Sequence, residues 1–328
     1  MKVNKTRYLF IVVIIVAVGT WAGIKLISDN LEPGQELIYF VPKTMDSRIE
    51  FWQVMNQGIA SAAKEFNAEV RVLGTDTETD IEGQIRLLEQ AIAAKPSAIV
   101  LAATDYNRLI PVSQKILKSG IKLITVDSGL NGGISASFIA TDNFAAGQKA
   151  VASIQKWIAA DASIAIISIV KGSATALERE SGVRDSLKAY KDVEVLETYY
   201  SETSEAKAYD IVKTLIQENS KLKVIFGLNE PATVGAAKAI KDLGVESRVK
   251  LAGFDSSMDE IALLEDGYIQ ATVVQNPFNM GYLAIQTALQ VSDGKKVNNR
   301  IDTGSVVITK ENMFTKENQK LLVPFAEK

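Results

Sequence analysis

Asp127, Asn229, Asp255 and Gln275 each close a short apolar run, in IKLITVD, VIFGLN, LAGFD and IQATVVQ, and the pair Phe51-Trp52 follows another, LIYFVP. Carboxylates and amides hold hydroxyl groups through charge-assisted or paired hydrogen bonds, and aromatic faces cover the C–H side of a ring. The set therefore suits a neutral, polyhydroxylated ligand. Ser128, beside Asp127, and Glu230, beside Asn229, lie in the same stretches. Each residue also has a purely structural reading. Asp127 and Asp255 are good turn formers or caps, Asn229 stands where an N-cap would precede Glu230-Pro231, and Gln275 leads into the turn-like Asn276-Pro277. The chain contains no His and no Cys, which removes thiol nucleophiles, disulfides, zinc sites of the usual kind and any Ser-His-Asp relay. The expectation is a binding protein rather than an enzyme, with no cofactor and no metal.

Strand ends become a site only if something brings them together. With 328 residues, 47% hydrophobic and 23% charged, the chain is long enough for two lobes with separate cores. Short apolar runs alternate with stretches of helical periodicity: LIYFVP precedes Phe51, Met55, Ile59 and Ala62, and EVRVLG precedes Ile81, Ile85, Leu88 and Ile92. This βαβα order restarts after Asp142-Asn143 with SIAIISIV, VEVLET and VIFGLN. The pattern predicts an α/β fold of two doubly wound parallel-sheet lobes, 36–141 with 276–303 and 142–275 with 304–328. In open α/β sheets ligands sit beyond the carboxyl ends of the strands, which is where the polar residues stand. The net charge of −3, without a long basic run, argues against nucleic acid as a partner.

Lys2, Lys5 and Arg7 precede an apolar run that contains LFIVVIIVAV, so residues 1–35 read as an export signal or a membrane anchor followed by a polar linker. The short apolar length and the weak cleavage site around Thr20-Trp21-Ala22 leave the two open. Either places the remainder outside the cytoplasm.

Five further stretches, in order, carry a resemblance: VDSG with ATDNFAAG, ALERESGV, FGLNEPATVGA, AGFDSS and ATVVQNPFNMG. From about Glu36 onward the chain resembles the ribose-binding-like type I periplasmic sugar-binding proteins. The resemblance implies a monosaccharide held between two lobes joined by a three-crossover hinge, near Thr141 to Asn143, Gly253 to Ser256 and Gln275 to Pro277. It implies stacking by Phe51 and Trp52 and hydroxyl contacts from Asp127, Arg179, Asn229, Asp255 and Gln275. It also implies a monomer that delivers sugar to an ATP-driven importer, or, if the anchor is retained, a receptor that signals to a sensor kinase. Three positions depart from the family pattern: Ser128 stands where an Arg is common, Thr203 where an aromatic is, and Ile49 where an Asn is. Ribose itself is therefore in doubt, and Lys43 or Arg48 is expected to supply a replacement hydroxyl donor.

Overall fold

A computed structural model describes residues 35–322 of the protein. The expected export or anchor segment lies outside these residues. Among the described residues no helix is long and apolar enough to cross a membrane.

The first lobe is built on β1 (Leu37–Val41), β2 (Glu69–Val72), β3 (Ala98–Leu101), β4 (Lys122–Val126) and β5 (Ser137–Ala140), with α1 (Glu50–Glu65), α2 (Ile81–Ala93) and α3 (Ile110–Lys118) between them. After α4 (Asn143–Ile154) the second lobe repeats the plan with β6 (Ser163–Ser168), β7 (Glu194–Tyr200), β8 (Leu222–Gly227), β9 (Lys250–Phe254) and β10 (Ala271–Val274). Its intervening helices are α5 (Ala174–Leu187), α6 (Glu205–Glu218), α7 (Glu230–Leu243) and α8 (Met258–Glu265). The chain then returns through α9 (Pro277–Ser292), β11 (Arg300–Asp302), β12 (Val306–Ile308) and α10 (Lys316–Leu322). The sheets run β11-β5-β4-β3-β1-β2 and β12-β10-β9-β8-β6-β7. All pairings are parallel except that of β10 with β12. Strands β1, β3, β6 and β8 are almost wholly buried, as parallel strands covered on both faces must be.

The chain passes between the sheets after β5, after β10 and between β11 and β12. The third crossover is therefore Thr303 to Ser305, which corrects the expected hinge at Gly253 to Ser256. That stretch joins β9 to α8 inside the second lobe. Its polar run after an apolar strand resembles a crossover in sequence, but the strand before it and the one after it, β9 and β10, are paired in one sheet.

Helix α9 lies on α1 at a close crossing. A Cβ on Gly58 would fall on the backbone of Phe278, and one on Gly281 on the Met55 carbonyl, so only glycine admits this approach. Gly244 ends α7 at φ +62° with open space around it. Gly244→Ala is therefore expected to cost only backbone strain, about 1 kcal/mol, read as a fall of a few degrees in thermal unfolding.

Candidate functional site

The carboxyl ends of the two sheets face each other across a cleft. Its walls come from both lobes. Lys43, Phe51, Trp52, Glu78 and Asp127 stand on the first, and Thr175, Arg179, Thr203, Asn229, Glu230, Asp255 and Gln275 on the second.

The two central acids occupy matching positions. Asp127 follows β4 and Asp255 follows β9; each holds a left-handed backbone, φ +59° and +76°, and each backbone N–H bonds to the next strand, at Ile139 and Val273. Such a conformation costs a non-glycine residue on the order of 1 kcal/mol or more, and it persists where surrounding bonds over-determine it. Each acid faces a buried cation from a different element. Lys43 Nζ lies 2.8 Å from Asp127, and Arg179 lies 3.7 Å from Asp255.

Arg179 is fixed from three directions. Nε donates to Asn143 Oδ1 at 2.9 Å, a terminal nitrogen donates to the Leu228 carbonyl at 2.7 Å, and the guanidinium stacks on the Phe254 ring at 4.6 Å. Burial pushes the Asp255 carboxyl up, opposed chiefly by Arg179 and by the hydrogen bond from Gln275 at 2.6 Å. Asn229 caps α7, accepting from the Ala232 N–H at 3.1 Å, and lines the cavity as well. Capping leaves its Nδ2 donors for other partners.

On the first lobe Phe51 and Trp52 meet edge to face at 5.1 Å, both buried and both on the wall. Trp52 Nε1 donates to Glu78 Oε1 at 2.8 Å. Burial raises the Glu78 carboxyl above its ordinary value, with Lys43 the main opposing charge.

The lobes touch directly around the cavity. Lys43 Nζ donates to Thr175 Oγ1 at 3.1 Å, Thr203 Oγ1 to Glu78 Oε2 at 3.3 Å, and the Met258 N–H to Glu50 Oε1 at 3.2 Å. The Tyr106 N–H also donates to the Gly172 carbonyl at 2.8 Å. The described arrangement is a closed one.

Two expected residues stand elsewhere. The Arg48 side chain is 88% exposed and pairs with Asp46, which also accepts from its backbone N–H, so this local turn holds it at the cleft mouth. Ser128 is fully buried behind Asp127, its carbonyl accepting from the Ala103 N–H. Two acids on the wall, Glu78 and Glu230, are not among the contacts expected from the sequence, although Glu230 lies in a strand-end stretch already singled out. Glu78 lies in the loop after β2, a strand end that the same positional rule covers, and Glu230 opens α7 directly after the residue that was singled out.

The D-allose-binding periplasmic protein of Escherichia coli strain K12 is 26% identical over 288 residues, which cover 85% of this chain and 91% of that one. A carbohydrate transporter solute binding protein from Agrobacterium radiobacter, solved with D-arabinose, superposes with a TM-score of 0.84 at 32% identity, covering 89% of this chain and all of the other. An ABC transporter solute binding protein from Agrobacterium vitis with bound D-fucose gives a TM-score of 0.83 at 34% identity over 87% of this chain and 99% of that one. The periplasmic binding protein domain family matches residues 38–296, the span that carries β2 to β10 and the residues of the cavity wall, and the chain belongs to that family.

Proposed function

We propose that the protein is an extracytoplasmic solute-binding protein that closes two lobes on a monosaccharide and presents it to an ATP-driven sugar importer. The observation that carries this reading is the cavity itself: an aromatic floor from Phe51 and Trp52 beneath paired acids and amides contributed by both lobes. A ligand that bonds to Asp127 on one side and to Arg179, Asn229 and Asp255 on the other makes all of those contacts only when the lobes are together. Its binding free energy therefore shifts the population toward closure. The sugars bound by the similar proteins above support the ligand class. Binding without turnover fits the central acids, each of which already faces a cation. Lys43 supplies a cation beside Asp127, where the family pattern has an Arg at the next position of the sequence, and Ile49 and Thr203 stand on the wall at positions where that pattern has more polar or larger groups.

Titrating a panel of pentoses and hexoses while following tryptophan emission tests the reading. One of the three tryptophans, Trp52, is in the wall, so the correct sugar should change the emission, and Trp52→Phe should remove most of that change. Trp52→Ala should raise the Kd about tenfold or more through lost stacking. A panel that produces neither an emission change nor a thermal shift would overturn the proposal.

A further inference from the structure

The ionisable groups on the cavity wall do not balance. Lys43 with Asp127 and Arg179 with Asp255 form two pairs, and Glu78 and Glu230 are left over. Among the described residues no Lys or Arg forms an ion pair with either. Both oxygens of Glu78 are occupied, by Trp52 and Thr203. Glu230 differs: the residue is 7% exposed, and its Oε2 is buried without a hydrogen-bond partner. Gln275, 2% exposed, has an unpartnered Oε1 as well. The two flank the same carboxylate, because the Glu230 N–H donates to Asp255 Oδ2 at 3.3 Å and Gln275 Nε2 to Asp255 Oδ1 at 2.6 Å.

A buried carboxylate without a counter-charge is costly, and an unpartnered oxygen adds to the cost. A sugar hydroxyl offers one donor and no charge, whereas an ammonium offers three donors and cancels one negative charge. The surroundings of Glu230 sharpen the difference. Besides Asp255 it feels Glu50 from α1 and lies near Glu260 of α8, and the nearby cation Arg179 is already engaged by Asp255. Burial, then Asp255 and Glu50, pushes the Glu230 carboxyl up to about 8, only partly opposed by hydrogen bonding from Ser257 and the Glu50 backbone N–H, the response of an acid that lacks a cationic partner.

We infer that the cleft is built for a monosaccharide carrying a primary amine, with the ammonium seated against Glu230 beside Gln275 and the ring against Trp52. This rests on the sugar-binding reading and narrows its ligand class. The test is calorimetric titration of D-glucosamine, D-galactosamine and D-mannosamine against D-glucose, D-galactose and D-mannose, with the N-acetylated forms as uncharged analogues of similar connectivity. At least one amine should bind about tenfold or more tighter than its neutral counterpart, the margin expected of a charge-assisted hydrogen bond over a neutral one, and its N-acetyl form should lose that margin. Glu230→Gln, which keeps the shape and removes the charge, should bring the ratio of amine to neutral affinity to about one. Neutral sugars that bind as tightly as the amines, or a preference that survives in Glu230→Gln, would overturn the inference and leave the sugar-binding reading intact. A full panel in which no sugar of either kind binds would overturn both.

Discussion

Replacing Arg179 by alanine is expected to lower the thermal unfolding midpoint by on the order of 10 °C and to raise the Kd for the ligand about a hundredfold or more. The side chain is 2% exposed and donates to Asn143 and to the Leu228 carbonyl while facing Asp255. Its removal leaves two buried acceptors short of a donor and a buried carboxylate without its cation. Breaking one side of a buried pair typically costs about 3–5 kcal/mol, because the surviving charge stays desolvated. The loss reaches the ligand as well, since Arg179 fixes the wall that carries Asn229 and Asp255. Arg179→Lys separates the two effects. It keeps a positive charge near Asp255 but loses the planar fork that reaches Asn143 and Leu228 together, so it should recover part of the stability and little of the affinity. Thermal melts and calorimetric titration of both variants provide the check. An Arg179→Ala protein that melts and binds like the parent would show that the buried guanidinium carries neither function.

Arg179 also shows where the sequence is legible. Its charged neighbours Glu178 and Glu180 give it the look of a solvated helix face, and only the surrounding ALERESGV stretch marks it out. Burial of this position depends on Asn143 and Leu228, which come from other segments and leave no local periodicity. The long apolar runs, by contrast, identify their strands directly, because a parallel strand covered on both faces must be apolar throughout. The three- and four-residue strands β5, β11 and β12 carry too few side chains for such a pattern. Strand-end position identified Asp127, Asn229, Asp255 and Gln275 as facing the cleft, but it cannot tell which of two adjacent residues points inward. Ser128 turns behind Asp127, whereas Glu230 turns toward the cavity beside Asn229. Lys43 and Arg48 were equivalent as sequence. The turn around Asp46 separates them, holding Arg48 at the rim while Lys43 reaches Asp127.

Glu230 also makes closure on a neutral sugar depend on pH. With the lobes apart the cleft mouth it lines is open to solvent, and the carboxyl returns toward its ordinary 4.5; in the closed form it is pushed up to about 8 by burial, Asp255 and Glu50. A group whose pKa is raised on closure takes up a proton as the lobes meet. Its contribution therefore favours closure fully below the lower value, declines as pH rises between the two, and is lost above the higher one. The Kd for a neutral sugar should accordingly rise with pH, Glu230 alone contributing at most about tenfold per unit between roughly pH 5 and 8 and nothing further above that. Glu78 and Asp255 are also raised by burial, so they act in the same direction and leave a residual slope in Glu230→Gln. An ammonium-bearing ligand keeps Glu230 ionised in the closed form, so its slope should be shallower than that of its neutral counterpart. The measurement is Kd across this range for one such pair of sugars. A neutral-sugar affinity that stays flat or improves with rising pH would show that Glu230 does not change its proton occupancy on closure.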